Sequence, residues 1–356
     1  TQGGGPTPTQ SGPPTPTPGA GPTPSGGLPT AAPTTTPIPT TPEFPIDDPF
    51  TSYTQPSNSL VMPFDQSDAH STFFIVSNLS GVSPSGDGSI AAVTTHWAYW
   101  SETCDHLADV NVCLTLNDTI VVSPSVVSSI DAGNTPIGPA IDLSGERGFV
   151  VVTAYATDAS CRDSSARGNL PIDDAIVGTY TFANVESQAS FGNDAIGLGL
   201  DGGGSFTQLP GDDLVAPIEL DRFSIQTFSP EALDESAVVL LSLEERSGSG
   251  ATAAIEVGPN RTSTRANLVY FDNLEIATSL PEATIRCARF TSLIPGEDAL
   301  IPDTVSLLSS GILRLDDFTP PIGGDSGRFI YGIHGQAVGN FGGSSNMKYQ
   351  AGEILP

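Results

Sequence analysis

From Gly148 to Ala156 the chain reads Gly-Phe-Val-Val-Val-Thr-Ala-Tyr-Ala, a run of β-branched and aromatic residues without polar alternation. A strand with one wet face alternates apolar and polar side chains. A run without alternation therefore predicts a central strand covered on both sides. Phe149, Val151 and Thr153 then point one way and Val150, Val152 and Ala154 the other. Such a strand needs neighbours, and the rest of the sequence supplies them.

The run closes a stretch, His96 to Ala156, that holds both tryptophans and two of the four cysteines. A Gly145-x-x-Gly148 turn feeds it, and a Gly324-x-x-Gly327 turn feeds Arg328-Phe-Ile-Tyr-Gly-Ile-His334. Before each turn comes an aromatic strand, ending at Trp100 or Phe271, and then a cysteine, Cys113 or Cys287. The repeated layout reads as a weak internal duplication.

Further strands are expected at 71–77, 89–100, 110–116, 119–123, 175–183 and 187–200. In the second half they are expected at 216–227, 237–243, 251–257, 267–271, 283–291 and 311–315. Gly, Asp, Asn, Ser and Pro separate these segments, as in β-turns. Helical periodicity is scarce, the best short helix being Pro230 to Ser236 with Ser229 as N-cap and Glu231 in its first turn. The pattern predicts an all-β fold of two β-sandwich or jelly-roll-like units, 65–205 and 206–356, with 201–215 as the connection.

Residues 1–45 cannot join either core. They are Thr, Pro, Gly, Ser and Ala with Pro-Thr-Pro repeated and no charge before Glu43. Prolines lack amide protons and fix extended geometry, so this is a spacer, reaching about 140 Å at about 3.1 Å per residue. Thr7, Thr9, Thr15, Thr17 and Thr23 are candidate carriers of O-linked sugars. Residues 46–64 are mixed in composition. With Phe44 just before them, Phe50, Tyr53 and Phe64 make this an edge-packing or strand-donor segment for assembly.

The chain carries 40 acidic and 12 basic groups, a formal charge of −28. Acidic surfaces repel phosphate backbones, which argues against nucleic-acid binding. The charge suits solubility outside a cell, and loop carboxylates at Asp173-Asp174, Asp212-Asp213 and Asp316-Asp317 offer at most weak calcium binding, since none has the Asp-x-Asp-x-Asp-Gly order. No other cofactor is expected. No apolar run approaches the roughly 18 residues of a transmembrane helix. A start at Thr1 is read as a secretory signal already removed.

Cys104, Cys113, Cys161 and Cys287 contain no Cys-x-x-Cys pair, so disulfides in an oxidising compartment are expected in preference to zinc or haem. Of three possible pairings, Cys104 with Cys113 closes a local hairpin, leaving Cys161 with Cys287. Sequons at Asn78, Asn117 and Asn260 are candidates for N-glycosylation.

Gly324-Asp-Ser-Gly327 is similar to the nucleophile motif of chymotrypsin-like proteases, but Arg328 stands where that family has glycine and no histidine setting matches. It reads as a turn, because a nucleophilic serine needs a base and an oriented acid. Trp97, Tyr99 and Trp100 alternate across a strand, so they favour core packing over a sugar-stacking platform. His70, His96, His106 and His334 lack metal-ligand spacing and read as structural.

Phe73-Phe-Ile-Val-Ser-Asn-Leu-Ser80, the Cys104 to Cys113 segment with Leu114-Thr-Leu-Asn117 after it, and the Gly145 to Tyr155 run resemble a loosely defined group of secreted bacterial surface proteins. The resemblance covers residues 70 to 200 and implies a β-sandwich at the cell surface with no catalytic residue. The sequence thus predicts a non-enzymatic structural subunit of an extracellular filament or surface layer, partnered by copies of itself and by glycans. The alternatives are a stalked carbohydrate-binding or adhesive module and, third, a secreted hydrolase.

Overall fold

The computed structural model describes residues 56–67, 69–79, 92–131, 135–157, 175–184, 186, 189–200, 206–208, 222–247, 255–296, 299–319, 328–338 and 341–346. Among these there is no α-helix. The tail, including its candidate threonines, lies outside the described residues, as do Phe44, Phe50, Tyr53, Cys161 and the Gly324 to Gly327 turn.

The first half begins with β1 (Ser59–Asp65), β2 (His70–Asn78), β3 (Val93–Ser101) and β4 (His106–Leu114). It continues through β5 (Thr119–Val122), β6 (Val126–Asp131), β7 (Thr135–Asp142) and β8 (Arg147–Ala156). β9 (Ile176–Asn184), β10 (Ala189–Asp194), β11 (Ile196–Leu200) and β12 (Phe206–Gln208) complete it. An eight-stranded sheet, β12-β11-β1-β8-β3-β4-β6-β7, packs on a four-stranded one, β10-β9-β2-β5.

β8 is central, paired to β1 on one side and β3 on the other, with eight consecutive buried residues. Its registers place Val150, Val152 and Ala154 on the face of Trp97 and Tyr99, and Phe149 and Val151 on the other, as expected. The inner face holds a ring cluster: Trp97 lies 6.1 Å from Phe74 and 6.4 Å from Tyr99, and Phe64 is edge-on to Tyr99. The Trp97 Nε1–H donates to Thr95 Oγ1 at 2.8 Å, as a buried indole requires. Gly145 makes the preceding turn with φ +87°, a region a Cβ disfavours.

Ser59 to Phe64, expected at an edge, is instead fully buried between β8 and β11. Pro63 lies inside this strand although proline has no amide for a ladder. Here it is tolerated because β11 pairs only with Ser59 to Val61, leaving β1 a single neighbour at Pro63. Phe64 is therefore a core residue of its own subunit. The eight-stranded sheet's outer edge, β7, carries Pro136 and Pro139, which blunt pairing with other chains.

The second half has β13 (Arg222–Thr227), β14 (Glu235–Ser247), β15 (Ile255–Pro259), β16 (Thr264–Asp272) and β17 (Ala277–Ile285). β18 (Ala288–Thr291), β19 (Gly311–Thr319), β20 (Arg328–Val338) and β21 (Phe341–Asn346) follow. β13-β19-β16-β17 forms one sheet; β15-β14-β20-β21 with β18 on β14 forms the other. The expected helix is a single 3₁₀ turn, Pro230–Ala232, and Ser229 makes no cap, its hydroxyl donating to the Leu307 carbonyl. The duplication does not extend to pairing: β3 pairs with β8, whereas β16 and β20 lie in different sheets.

Residues 47–356 form one compact unit. The sheets do divide by half, with β1 and β12 extending the first to 59–208. One core joins them, however, containing Val239, Leu241 and Ile333 together with Trp97 and Phe149. A disulfide also crosses: Cys104, in the β3–β4 turn, bonds Cys287, between β17 and β18, with Cα atoms 5.4 Å apart. This replaces the expected Cys104–Cys113 and Cys161–Cys287 pairs. Cys113 lies near the far end of β4, roughly 25 Å along a strand rising about 3.4 Å per residue, so the segment is no closed loop. Cys113 is itself disulfide-bonded, to a partner outside the described residues.

Candidate functional site

Where the halves meet, a cleft of about 520 Å³ is lined by Asp65, His70, Arg147, Asn184, Asp234, Glu235 and Phe290, among others. Strand ends supply them: Asp65 closes β1, His70 opens β2, Asn184 closes β9 and Glu235 opens β14. A polar chain crosses the cleft. His70 Nδ1 lies 4.0 Å from Asp65, while the Asn184 amide reaches His70 Nε2 at 3.2 Å and donates to Glu235 at 3.4 Å. Arg147 binds Glu102 at 3.0 Å and lies over the Phe290 ring, 5.6 Å from its centroid. The cleft thus sets carboxylates, an imidazole and an amide among aromatic walls, a set that can hydrogen-bond a hydroxylated ligand.

The second cluster lies on the β3–β4 hairpin. His96 Nε2 and His106 Nε2 approach the same Asp109 oxygen at 3.3 and 3.0 Å, and Trp100 packs edge-on against His106 at 4.8 Å. Burial raises the Asp109 pKa, but the hydrogen bonds and charges of the two histidines outweigh it, bringing the group from 3.8 to about 2. In the sequence these histidines have no metal-ligand spacing. The hairpin register gathers them, with Asp109 opposite Ala98, two residues from His96.

Among the described residues, no group of three or more His, Cys, Asp or Glu side chains is arranged to hold a metal ion. Of the acidic loops, Asp316 pairs with Arg314 at 2.8 Å and Asp317 accepts from the Asn267 amide at 2.9 Å. Asp173-Asp174 and Asp212-Asp213 lie outside the described residues. Trp97 and Tyr99 are buried.

The sequons separate sharply. Asn78 is buried and its amide donates to the Leu114 and Thr115 carbonyls, so the folded chain does not present it for glycosylation. Asn260 is also wholly buried, its side-chain oxygen accepting from the Thr262 amide. Asn117 alone of the three is exposed, in the β4–β5 turn at φ +61°, a conformation asparagine tolerates.

No protein-family model, curated protein or solved structure matches this chain. The resemblance to secreted surface proteins therefore gains no family assignment, and the functional reading rests on the residues themselves.

A buried histidine outside both clusters makes stability depend on pH. Burial lowers the pKa of His334, on β20, from 6.5 to about 4. The unfolded chain takes up a proton as pH falls through 6.5 and the folded chain does not until about 4, so stability is full above 6.5 and declines towards 4. The loss is roughly 3 kcal/mol at about 1.4 kcal/mol per pH unit. Urea midpoints at pH 7 and pH 4.5 will differ accordingly, and His334→Gln will remove most of that difference. Asp109 acts in a separate window, with stability lost only below 3.8 and towards 2.

Proposed function

We propose that the chain is a structural subunit of an extracellular filament or surface layer, assembled from copies of itself and carrying glycans, with the Pro/Thr tail extended between or around the bodies. The observation that carries this reading is the Cys104–Cys287 disulfide, which fastens a turn of one half to a turn of the other across 183 residues. Disulfides persist in oxidising surroundings. One that clamps two sandwiches into a single body favours resistance to unfolding and proteolysis, as a permanent extracellular element requires. The acidic composition and the exposed Asn117 sequon agree with that location.

Negative-stain microscopy of native material tests the reading directly, because filaments or sheets are visible and single chains are not. Deleting residues 1–55 is expected to leave folded bodies that no longer polymerise. Deleting residues 1–64 removes β1 from the centre of its sheet and is expected to unfold the body. A full-length protein monodisperse at the mass of one chain, or truncated bodies that polymerise at unchanged yield, overturns the tail-dependent assembly.

The cleft favours a second reading, a stalked carbohydrate-binding or adhesive module, because Asp65, Asn184 and Glu235 can accept or donate to sugar hydroxyls. Glycan-array binding by a non-polymerising monomer separates it from the first.

A further inference from the structure

The β10-β9-β2-β5 sheet turns Phe74, Val76 and Tyr180 inward and its other face to solvent. On that outer face Ile75 stands directly opposite Val121, with Phe73 two residues along β2. They are 42%, 65% and 44% exposed. Thr179 and Thr181 sit beside them on β9. Of the outward positions on these four strands, only Asp194, on the far edge strand, carries a charge. Phe73-Phe-Ile-Val76 has as little polar alternation as β8, whose two faces are both covered. Here the pattern is met on one face only.

The outward face of the β13-β19-β16-β17 sheet is different. It carries Arg265, Glu282, Arg314 and Asp316, with Arg314 paired to Asp316 and lying 4.9 Å above the Phe271 ring centroid. That is a face made for water. A chain with 40 acidic and 12 basic groups repels its own copies over most approaches. Repulsion is least where both present an uncharged surface.

We propose that the Phe73–Ile75–Val121 face docks a second copy of this chain about a two-fold axis, so that the same patch serves both sides. The inference rests on the self-assembling reading and names a pairing contact beside the tail-dependent one. Four strands about 4.8 Å apart and five residues at about 3.4 Å give a face of roughly 19 by 17 Å. That is about 320 Å² per copy, below the roughly 600 to 1,000 Å² per copy of stable specific interfaces, so a single contact is weak and reversible. A glycan platform would offer several ring faces, and this one offers Phe73. Because the contact is apolar between like-charged bodies, salt strengthens it, as screening shortens from about 30 Å at 0.01 M to about 3 Å at 1 M.

Sedimentation equilibrium of the full-length chain at 10 mM and 1 M NaCl tests this. Self-association is expected to rise at least ten-fold with salt. The Ile75→Asp/Val121→Asp variant is expected to lose at least ten-fold in association with unchanged circular dichroism, while Leu274→Asp, in the exposed β16–β17 turn, associates as the parent does. If the double variant fails to fold, Thr181→Glu places one carboxylate on the same face and reads the same loss. A parent that stays monomeric at 1 M salt, association that salt weakens, or charged variants that associate as the parent does overturns the proposal. So does retention of the parent, and not the variant, on insoluble polysaccharide without self-association. Filaments formed at unchanged yield by the double variant would leave the subunit reading standing and remove this face. Salt-strengthened pairing without filaments would keep the face and remove the filament.

Discussion

Replacing Cys104 and Cys287 together by serine lowers the unfolding free energy by roughly 3 to 5 kcal/mol, a large part of the 5 to 15 kcal/mol typical of a folded protein. The bond closes a segment with sequence separation 183, for which chain-entropy arguments give about 5 kcal/mol at 25 °C. Measured losses are commonly smaller because the reduced chain keeps some structure. Both cysteines sit at left-handed backbone angles, φ +78° and +55°. A non-glycine residue there costs roughly 1 to 2 kcal/mol, and serine retains that cost after the crosslink is gone. The double glycine variant should therefore be more stable than the double serine variant by at least about 1 kcal/mol, with the chain's greater freedom when unfolded offsetting part of the gain. Urea unfolding of the three proteins checks the order. Equal midpoints for parent and serine variant would mean that the shared core alone holds the halves.

That bond was invisible in the sequence for a topological reason. Cysteine spacing suggests pairing only when the intervening chain is a loop, and β4 turns most of the eight residues between Cys104 and Cys113 into a rigid rod. The partner of Cys104 is set by how two sandwiches meet. The histidine cluster is an intermediate case: drawing the β3–β4 hairpin would have brought His96 and His106 to Asp109, but residue types alone gave no reason to draw it. β8 was legible because burial on both faces erases alternation, and that signal is local. β1 was misplaced because the mixed composition of residues 46–64 gives no sign of burial on both faces, and Pro63 is acceptable inside it only because β11 ends early. The cleft draws its residues from the ends of strands in both halves, so no local window contains it.

Gly148→Ala is expected to be the most damaging glycine-to-alanine change among the described residues. Gly148 stands opposite Ser101 where β8 pairs with β3. A Cβ at that position would overlap the Trp100 carbonyl oxygen and lie 2.8 Å from its carbon and 3.0 Å from the Ser101 Cα. All three atoms are backbone, so no rotamer change relieves the overlap. The strands must separate, and they are the two that position Trp97, Tyr99 and Val150 in the core. Losses above about 4 kcal/mol are reserved for such mechanisms, and this variant belongs among them. Gly138→Ala is the control. Gly138 has φ +76° and nothing within 4 Å of a Cβ, so it bears only the conformational penalty of about 1 to 2 kcal/mol. Thermal or urea unfolding of the two variants separates steric exclusion from backbone preference. If Gly148→Ala proves no worse than Gly138→Ala, the close approach of β8 to β3 is not maintained in solution.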